Sequence, residues 1–494
     1  MLLTPRKYRA PAGDGEILIV PPLGEVPRLL DDAQYVQLPS QSIAGMSLSD
    51  WRALARSEVQ SLLKKQTHNQ QPTAWFVVGH QPDLVHPGVW LKYSVMSQLA
   101  RRHNGIALNL IVDNDEPKAA AVRVPIWRPG IAADGVSVEA IPFDSPPGHV
   151  PYEEWIANDG DLFASFPDRL AAATKDWPFR PIGVPGWSTK DRRVVDVLST
   201  VRRNQEISCG ISNVELRVSQ LCSTTAFGQF LSGIIDDLPR FRNCYNAAVR
   251  VYRAANKIKS RHHPVPDLIQ DGDWQEAPFW CWSVEQPQRR RLFIRRNSHG
   301  IALRWGRRES NWPNPNVKIR PRALTLTLFT RLALADVFIH GIGGGKYDEL
   351  TDSISASYFG VPPPTYMIVS GTLQLPLPRF AATPAAAAAA HRRDRDVLWN
   401  PQRHIALPKL AAERSKLIAM LARTRQQRRE KYSLLRRNLS QWQAASANEL
   451  LNAHDDRLRT EAELLANTVL GSREYSWVLY PAPMLCEWLT RERL

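Results

Sequence analysis

The stretch GHQPDLVHPG, Gly79 to Gly88, constrains the fold more than any other part of this chain. Before it runs TAWFVV, an unbroken set of apolar residues rich in β-formers. A run without polar alternation predicts a strand covered on both faces. After it comes VWLKYSVMSQLARR, where Trp90, Tyr93, Ser94, Ser97 and Ala100 recur at helical spacing. Arg101 and Arg102 close that helix at the end where its dipole favours cations. The next apolar run, IALNLIVDNDEPK, predicts another strand. Strand, loop, helix, strand is a βαβ unit, and its loop lies at a helix N-terminus, where open α/β sheets bind anions and nucleotides.

The arrangement recurs. ADVFIHGI predicts a strand, GIGGGKYDE a glycine loop opening a helix, and TYMIVSGTL a further strand. Two such loops on one sheet face a common crevice. The expectation is therefore an α/β protein with a parallel-sheet core, its halves in residues 1–125 and 316–380. Residues 126–315, rich in Trp and Pro, read as a mixed helical and β insertion. Residues 381–407 read as an Ala-rich linker, 408–470 as a helical hairpin or coiled coil with narrow leucine stripes, and 471–494 as an aromatic tail docked on the core.

The formal net charge is +15, a field that attracts anionic ligands. Arginines concentrate at 289–308 and 392–437. The first cluster reads as a β-hairpin with Leu292, Ile294, Ile301, Leu303 and Trp305 on one face. Its arginines form either a solvated face or a phosphate-contacting one. No RNA- or DNA-binding motif accompanies them, so nucleic acid is the weaker partner. No apolar run reaches about 18 residues, so no membrane helix is expected. The first residues lack the apolar segment of a secretion signal. The five cysteines, Cys209, Cys222, Cys244, Cys281 and Cys486, are odd in number and form no CxxC pair. That pattern predicts reduced thiols in the cytoplasm rather than a disulfide framework or zinc site.

The candidate chemistry lies at three places. In the first loop, His80 and His86 are candidates for stabilising charge at a reacting centre, beside Gly79, Gln81 and Gly88. His86-Pro87-Gly88 partly matches the His-x-Gly-His signature of nucleotidyltransferases. The plainer alternative is that the histidines cap or pack the loop. With no third ligand at useful spacing, the pair does not predict a metal site. At the end of the next strand, Asp113 and Asp115, with Asn114 between and Glu116 after, suit a ribose, a substrate amine or Mg2+. Lys92 reads as solvated. In the second glycine loop, Gly343, Gly344 and Gly345 expose N–H groups, Lys346 suits a phosphate or carboxylate, and Tyr347, Asp348 and Glu349 suit the substrate. The alternative there is a tight turn without a ligand. His340 reads as a strand-end side chain.

These motifs resemble the bacillithiol biosynthesis cysteine-adding enzymes, the bacillithiol synthase family. Gly79, His80 and Gln81, followed by Gly88, Trp90 and Lys92, are similar to that family's Gly-Gln-Gln segment. Val112, Asp113, Asn114 and Asp115 are similar to its acidic strand end. Gly343, Gly344, Gly345 and Glu349 are similar to its later Gly-Gly-Pro-Gly-Glu-type loop. The order agrees from about residue 70 to the C-terminal tail. His80, His86 and Asn114 depart from the family pattern.

The resemblance implies a Rossmann-like core similar to class I aminoacyl-tRNA synthetases, with a connecting-peptide-type insertion and a dimerising coiled coil. It implies a ligase that binds ATP or ADP, with Mg2+ as an optional companion, and joins cysteine to glucosaminyl-malate. More generally the expectation is an enzyme, a ligase or a nucleotidyltransferase, acting on a small carboxylated or phosphorylated substrate. A homodimer through the hairpin is expected. The alternative is a non-catalytic scaffold that uses its basic surface.

Overall fold

Two glycine loops end up side by side because of one reversal in strand order. In a computed structural model of the chain, residues 8–34, 42–43, 45–66, 72–298, 300–361 and 365–491 are described. Its main sheet runs, in spatial order, Ile17–Val20, Tyr366–Gly371, Val337–His340, Trp75–His80, Ile106–Ile111 and Val214–Arg217. The last five are parallel, and Ile17–Val20 joins antiparallel at one edge. From Trp75–His80 the chain adds strands outward on one side. It then returns to lay Val337–His340 on the other, so strand order reverses between these two. The protein is therefore an α/β protein with a largely parallel sheet.

Both faces of the sheet are covered, which explains the unalternating strand sequences. Trp75 and Val77 face one apolar core, packed by the helices Leu48–Leu62, Thr225–Asp236, Leu238–Ala255 and Ala323–Ala333. Phe76 and Val78 face the other, with the helices Pro87–Arg102 and Val194–Ser208 and the C-terminal tail. Helix Pro87–Arg102 starts with proline at its first turn and ends on Arg101 and Arg102, as pyrrolidine geometry and the helix dipole favour.

The region 126–315 is not one insertion. It contains Val214–Arg217, the outer parallel strand of the core sheet. This strand is four residues long and carries Glu215 and Arg217, so it lacks the apolar run that marks its neighbours. Besides its backbone ladder and buried Leu216, an ion network holds it: Arg202 bonds Glu206 at 2.8 Å and Glu215 at 2.5 Å, and Glu206 accepts from Trp90 Nε1 at 2.8 Å. Beyond it lies a second, antiparallel sheet in the order Arg308–Asn311, Gly300–Trp305, Gln286–Asn297, Trp274–Ser283, Val317–Pro321. Leu292, Ile294, Leu303 and Trp305 form its buried face. The hairpin pairs Asn297 with Gly300; His299, in its turn, lies outside the described residues.

The C-terminal part departs from expectation in two ways. The Ala-rich segment is a helix, Pro384–Trp399, rather than a linker; Thr383 caps it by accepting from Ala386 N. Alanine is the best helix former, and the small Ala387 and Ala390 are buried. This helix pairs with Ala447–Leu470 through Arg393–Glu449, Arg457–Asp394 and His391–Glu461 contacts. The expected two-helix hairpin over 408–470 contains three helices, because its first half is two, Pro408–Ala419 and Arg425–Ala445, folded back on each other. Lys431 Nζ donates to the carbonyls of Ile418 and Met420 at the bend, both at 2.7 Å. The tail packs on the core with Trp477, Tyr480, Leu485 and Leu489 buried.

Cys209 and Cys486 form a disulfide, which corrects the expectation of reduced thiols. They are 277 positions apart, so no local spacing marks the pair. Among the described residues no helix is long and apolar enough to cross a membrane.

Candidate functional site

The strand ends on either side of the order reversal open into a cavity of about 290 Å3. Gly79, His80 and Gln81 from the first loop line it, together with His340, Gly344, Tyr347 and Asp348 from the neighbouring strand and the helix after it. Leu110, Val112, Val265, Leu324, Leu326 and Phe338 make the floor apolar, and Asp115 stands at the rim. A further side is helix Ala323–Ala333, whose Ala323, Leu326, Thr327 and Thr330 face inward at helical spacing.

His80 is half-buried, and its Nδ1 lies 3.0 Å from the carbonyl oxygen of Gln81. Burial, with Lys92 nearby, pushes its pKa down to about 3, so the ring is neutral at physiological pH. It acts as a hydrogen-bonding group rather than as a cation. Gln81 Nε2 donates to Asp115 Oδ2 at 2.5 Å, which couples the first loop to the acidic strand end. Asp115 also accepts from the Arg289 guanidinium, whose Nε donates to Glu116 at 3.1 Å.

On the neighbouring strand, His340 Nε2 is 2.9 Å from Asp348 Oδ2. Asp348 also accepts from Arg331, a guanidinium 1% exposed. Burial works to raise the Asp348 pKa, but Arg331 and His340 outweigh it and hold the carboxyl below its ordinary range. Thr330 Oγ1 is buried on the cavity wall without a hydrogen bond. An orphaned buried hydroxyl is costly.

The glycine loops do not work as the sequence suggested. Gly343 to Gly345 are the first turn of helix Ile342–Ile354, not a free loop. A Cβ on Gly344 would stand 2.6 Å from His340 Nδ1, so this glycine makes room for the imidazole. A Cβ on Gly345 would strike Ile368 at 2.5 Å, and Gly343 is exposed with open space around it. Gly88 is explained by the Gly371 carbonyl oxygen, 2.2 Å from where its Cβ would lie.

Several other expected residues lie off this cavity. Asp113 is fully buried and accepts from Ser219 N at 2.9 Å and from the Ser219 hydroxyl, so its carboxylate is committed to structure. Asn114 Nδ2 donates to the Pro321 carbonyl at 2.8 Å and lines an adjoining cavity. His86 caps helix Pro87–Arg102 and faces the tail, with Nε2 3.6 Å from Glu474. Burial pulls its pKa down to about 4, against the pull of Glu474. Lys346 is half-buried and Glu349 buried, and neither lines the cavity.

Sequence reasoning missed Thr330 and Arg331, placed Arg289 in a basic cluster without linking it to Asp115 and Glu116, and read Lys92 wrongly. Lys92 is 4% exposed, with no hydrogen bond or ion pair among the described residues. It is close enough to His80 and His86 to depress both. The i, i+3, i+4, i+7 pattern of Ala323, Leu326, Thr327 and Thr330 is the one signal that marks helix Ala323–Ala333 as a cavity wall.

The mainly apolar lining could hold a small planar group such as a nucleobase, with Gln81 as a polar contact at its edge. The lining residues do not fit a resident metal ion: among the described residues no three His, Cys, Asp or Glu side chains converge. No protein-family model and no curated protein matches the chain.

Proposed function

We propose that this chain is a nucleotide-binding carbon–nitrogen ligase on a Rossmann-like sheet, of the bacillithiol-synthase-like type. It joins an amino acid, cysteine in the family it resembles, to a small amine-bearing substrate. The observation that carries this reading is the cavity at the strand-order reversal, which His80, Asp115, His340 and Asp348 line together with apolar side chains. Dinucleotide- and nucleotide-binding sheets with the same order place their ligand at this point. ATP or ADP seats its base on Val112, Val265 and Leu324. A bound nucleotide supplies the activation of a carboxyl group. Asp115 receives the substrate amine, neutral His80 hydrogen-bonds an oxygen of the acyl partner, and Asp348 orients His340 towards the reacting groups.

Calorimetric titration of the full chain with ATP and ADP tests the reading. His80→Ala and Asp115→Asn are expected to weaken binding by about tenfold, the loss of one or two hydrogen bonds to a ligand. Absence of binding at about 1 mM, or variants equal to wild type, sinks it.

The helical arm supports a homodimer. Leu451, Leu458 and Leu465, seven residues apart, are 59%, 46% and 67% exposed on one face of Ala447–Leu470. A heptad stripe left open by its own chain suits a second copy related by a two-fold axis.

A further inference from the structure

The strand-end cavity does not stop at Asp115. It shares Asp115, Val265 and Leu324 with an adjoining cavity of about 200 Å3. That cavity in turn shares Trp280, Arg289 and Arg291 with an open groove of about 620 Å3 on the second sheet. The three cavities are thus neighbours with shared walls, and the Asp115–Arg289 ion pair stands between the strand-end cavity and the groove.

The groove is built from guanidiniums held by aromatic rings. Trp280 has Arg289 and Arg322 stacked on it, their Cζ atoms 4.3 and 4.5 Å from the ring centroid. Arg304 stacks on Trp274 at 4.9 Å and on Phe293 at 4.8 Å, and Arg295 takes Trp274 at 4.4 Å. The strands impose this: Phe293 sits opposite Arg304, and Trp280 opposite Arg291. Cross-strand neighbours share a face of the sheet. Stacking fixes the plane of a guanidinium and leaves its N–H edge for a ligand.

The charge is only partly neutralised: Arg289 pairs with Asp115 and Glu116, and Arg291 lies 3.7 Å from Glu276. Four arginines, Arg289, Arg290, Arg291 and Arg304, line the groove against two acids, Glu116 and Asp271. Arg290 makes no ion pair among the described residues. Asp271, the partner of Arg304 at 2.6 Å, is itself largely exposed and so easily exchanged for a ligand oxygen. Because guanidiniums already occupy the faces of Trp280 and Trp274, those rings offer little stacking surface to a nucleobase. What remains is planar, multidentate recognition of oxyanions.

We propose that this groove binds the oxyanion-bearing part of the second substrate, a small phosphorylated or polycarboxylated molecule whose amine end is directed at Asp115, the carboxylate that Arg289 links to the groove. The placement of the amine rests on the ligase reading above; the oxyanion site does not.

The test uses the full chain with inorganic pyrophosphate and citrate as probes, one for each oxyanion chemistry, and ADP as the control for the strand-end cavity. The variants are Arg290→Gln, at an exposed position that does not endanger folding, and Arg290→Gln/Arg304→Gln. Calorimetry is expected to show at least one probe binding below about 1 mM, weakened about tenfold or more in the double variant, with ADP affinity unchanged. Failure of both probes to bind, or affinities indifferent to both variants, overturns the groove assignment. So does a single-stranded RNA that binds more tightly than either probe, with a steep salt dependence, and is lost in the same variants. Pyrophosphate binding that depends on Arg290 and Arg304 without any ADP binding upholds the groove and rejects the ligase reading.

Discussion

Lys92→Met tests whether the protein carries an unpaired cation beside its site. The amine is 4% exposed on helix Pro87–Arg102 and has no hydrogen bond or ion pair among the described residues. Burial lowers its pKa from 10.5 to about 8. In the unfolded chain the amine keeps its proton up to about pH 10.4. Below the folded pKa both states are protonated, and the folded state bears the full cost of a buried charge. At about 1.4 kcal/mol per unit, the difference amounts to about 3 kcal/mol. As pH rises from about 8 to 10.5 the folded protein releases a proton that the unfolded chain retains, so stability rises and the cost disappears. Methionine has similar length and carries no charge. The variant is therefore expected to be about 3 kcal/mol more stable than wild type near neutral pH, with the gain shrinking to nothing above about pH 10.5. Urea unfolding followed by tryptophan fluorescence across this range measures it. A destabilised variant, or a difference that does not change with pH, refutes the reasoning. If the amine is kept for an anionic ligand, ADP affinity falls in the same, more stable variant.

Gly88→Ala places a Cβ 2.2 Å from the Gly371 carbonyl oxygen. Helix and strand must separate, so thermal melting is expected to show a loss of about 2–4 kcal/mol; an unchanged melt rejects that contact. Cys209→Ser is expected to cost about 2–4 kcal/mol under oxidising conditions and nothing in excess dithiothreitol; equal midpoints in both conditions remove the disulfide. Light scattering is expected to find a dimer at micromolar concentration and a monomer for Leu451→Gln/Leu458→Gln/Leu465→Gln, whereas a monomeric wild type ends the dimer proposal. Asp113→Ala leaves Ser219 N and its hydroxyl without their acceptor. That variant is expected to lose about 1–3 kcal/mol of stability with little change in ligand affinity, and the reverse pattern would return Asp113 to the site.

The strands flanking the crevice were legible because both sheet faces are covered. Continuous burial forces the apolar runs around Trp75 and Val337 that the eye finds first. Val214–Arg217 was not legible, because it buries a single leucine, Leu216, and Glu215 is held by an ion pair to Arg202, so no apolar run marks it. The break at residues 420–424 was half-legible. The leucines and alanines around it are good helix formers, yet Thr424 and Gln427 form a capping box, a start signal readable in the sequence. The glycine clusters were legible as loops near the site but not in their purpose. Gly344 accommodates His340, and Gly88 accommodates a backbone carbonyl, and both needs arise only between segments distant in the chain. Lys92 was misread for the same reason: position on a helix does not reveal which face is covered when helices pack on several sides.

The edge strand Ile17–Val20 has a consequence for synthesis. Among the described residues it pairs only with Tyr366–Gly371, about 350 residues later in the chain. At about 5–20 residues per second, a ribosome takes about 20–70 s to deliver that partner. Trp488, which donates to the Gly15 carbonyl at 2.9 Å beside the same strand, arrives later still. During that interval an apolar strand with both edges unpaired is available to other chains. Expression yield therefore depends on what shelters ILIV during translation, and slowing elongation would favour aggregation where faster elongation relieves it.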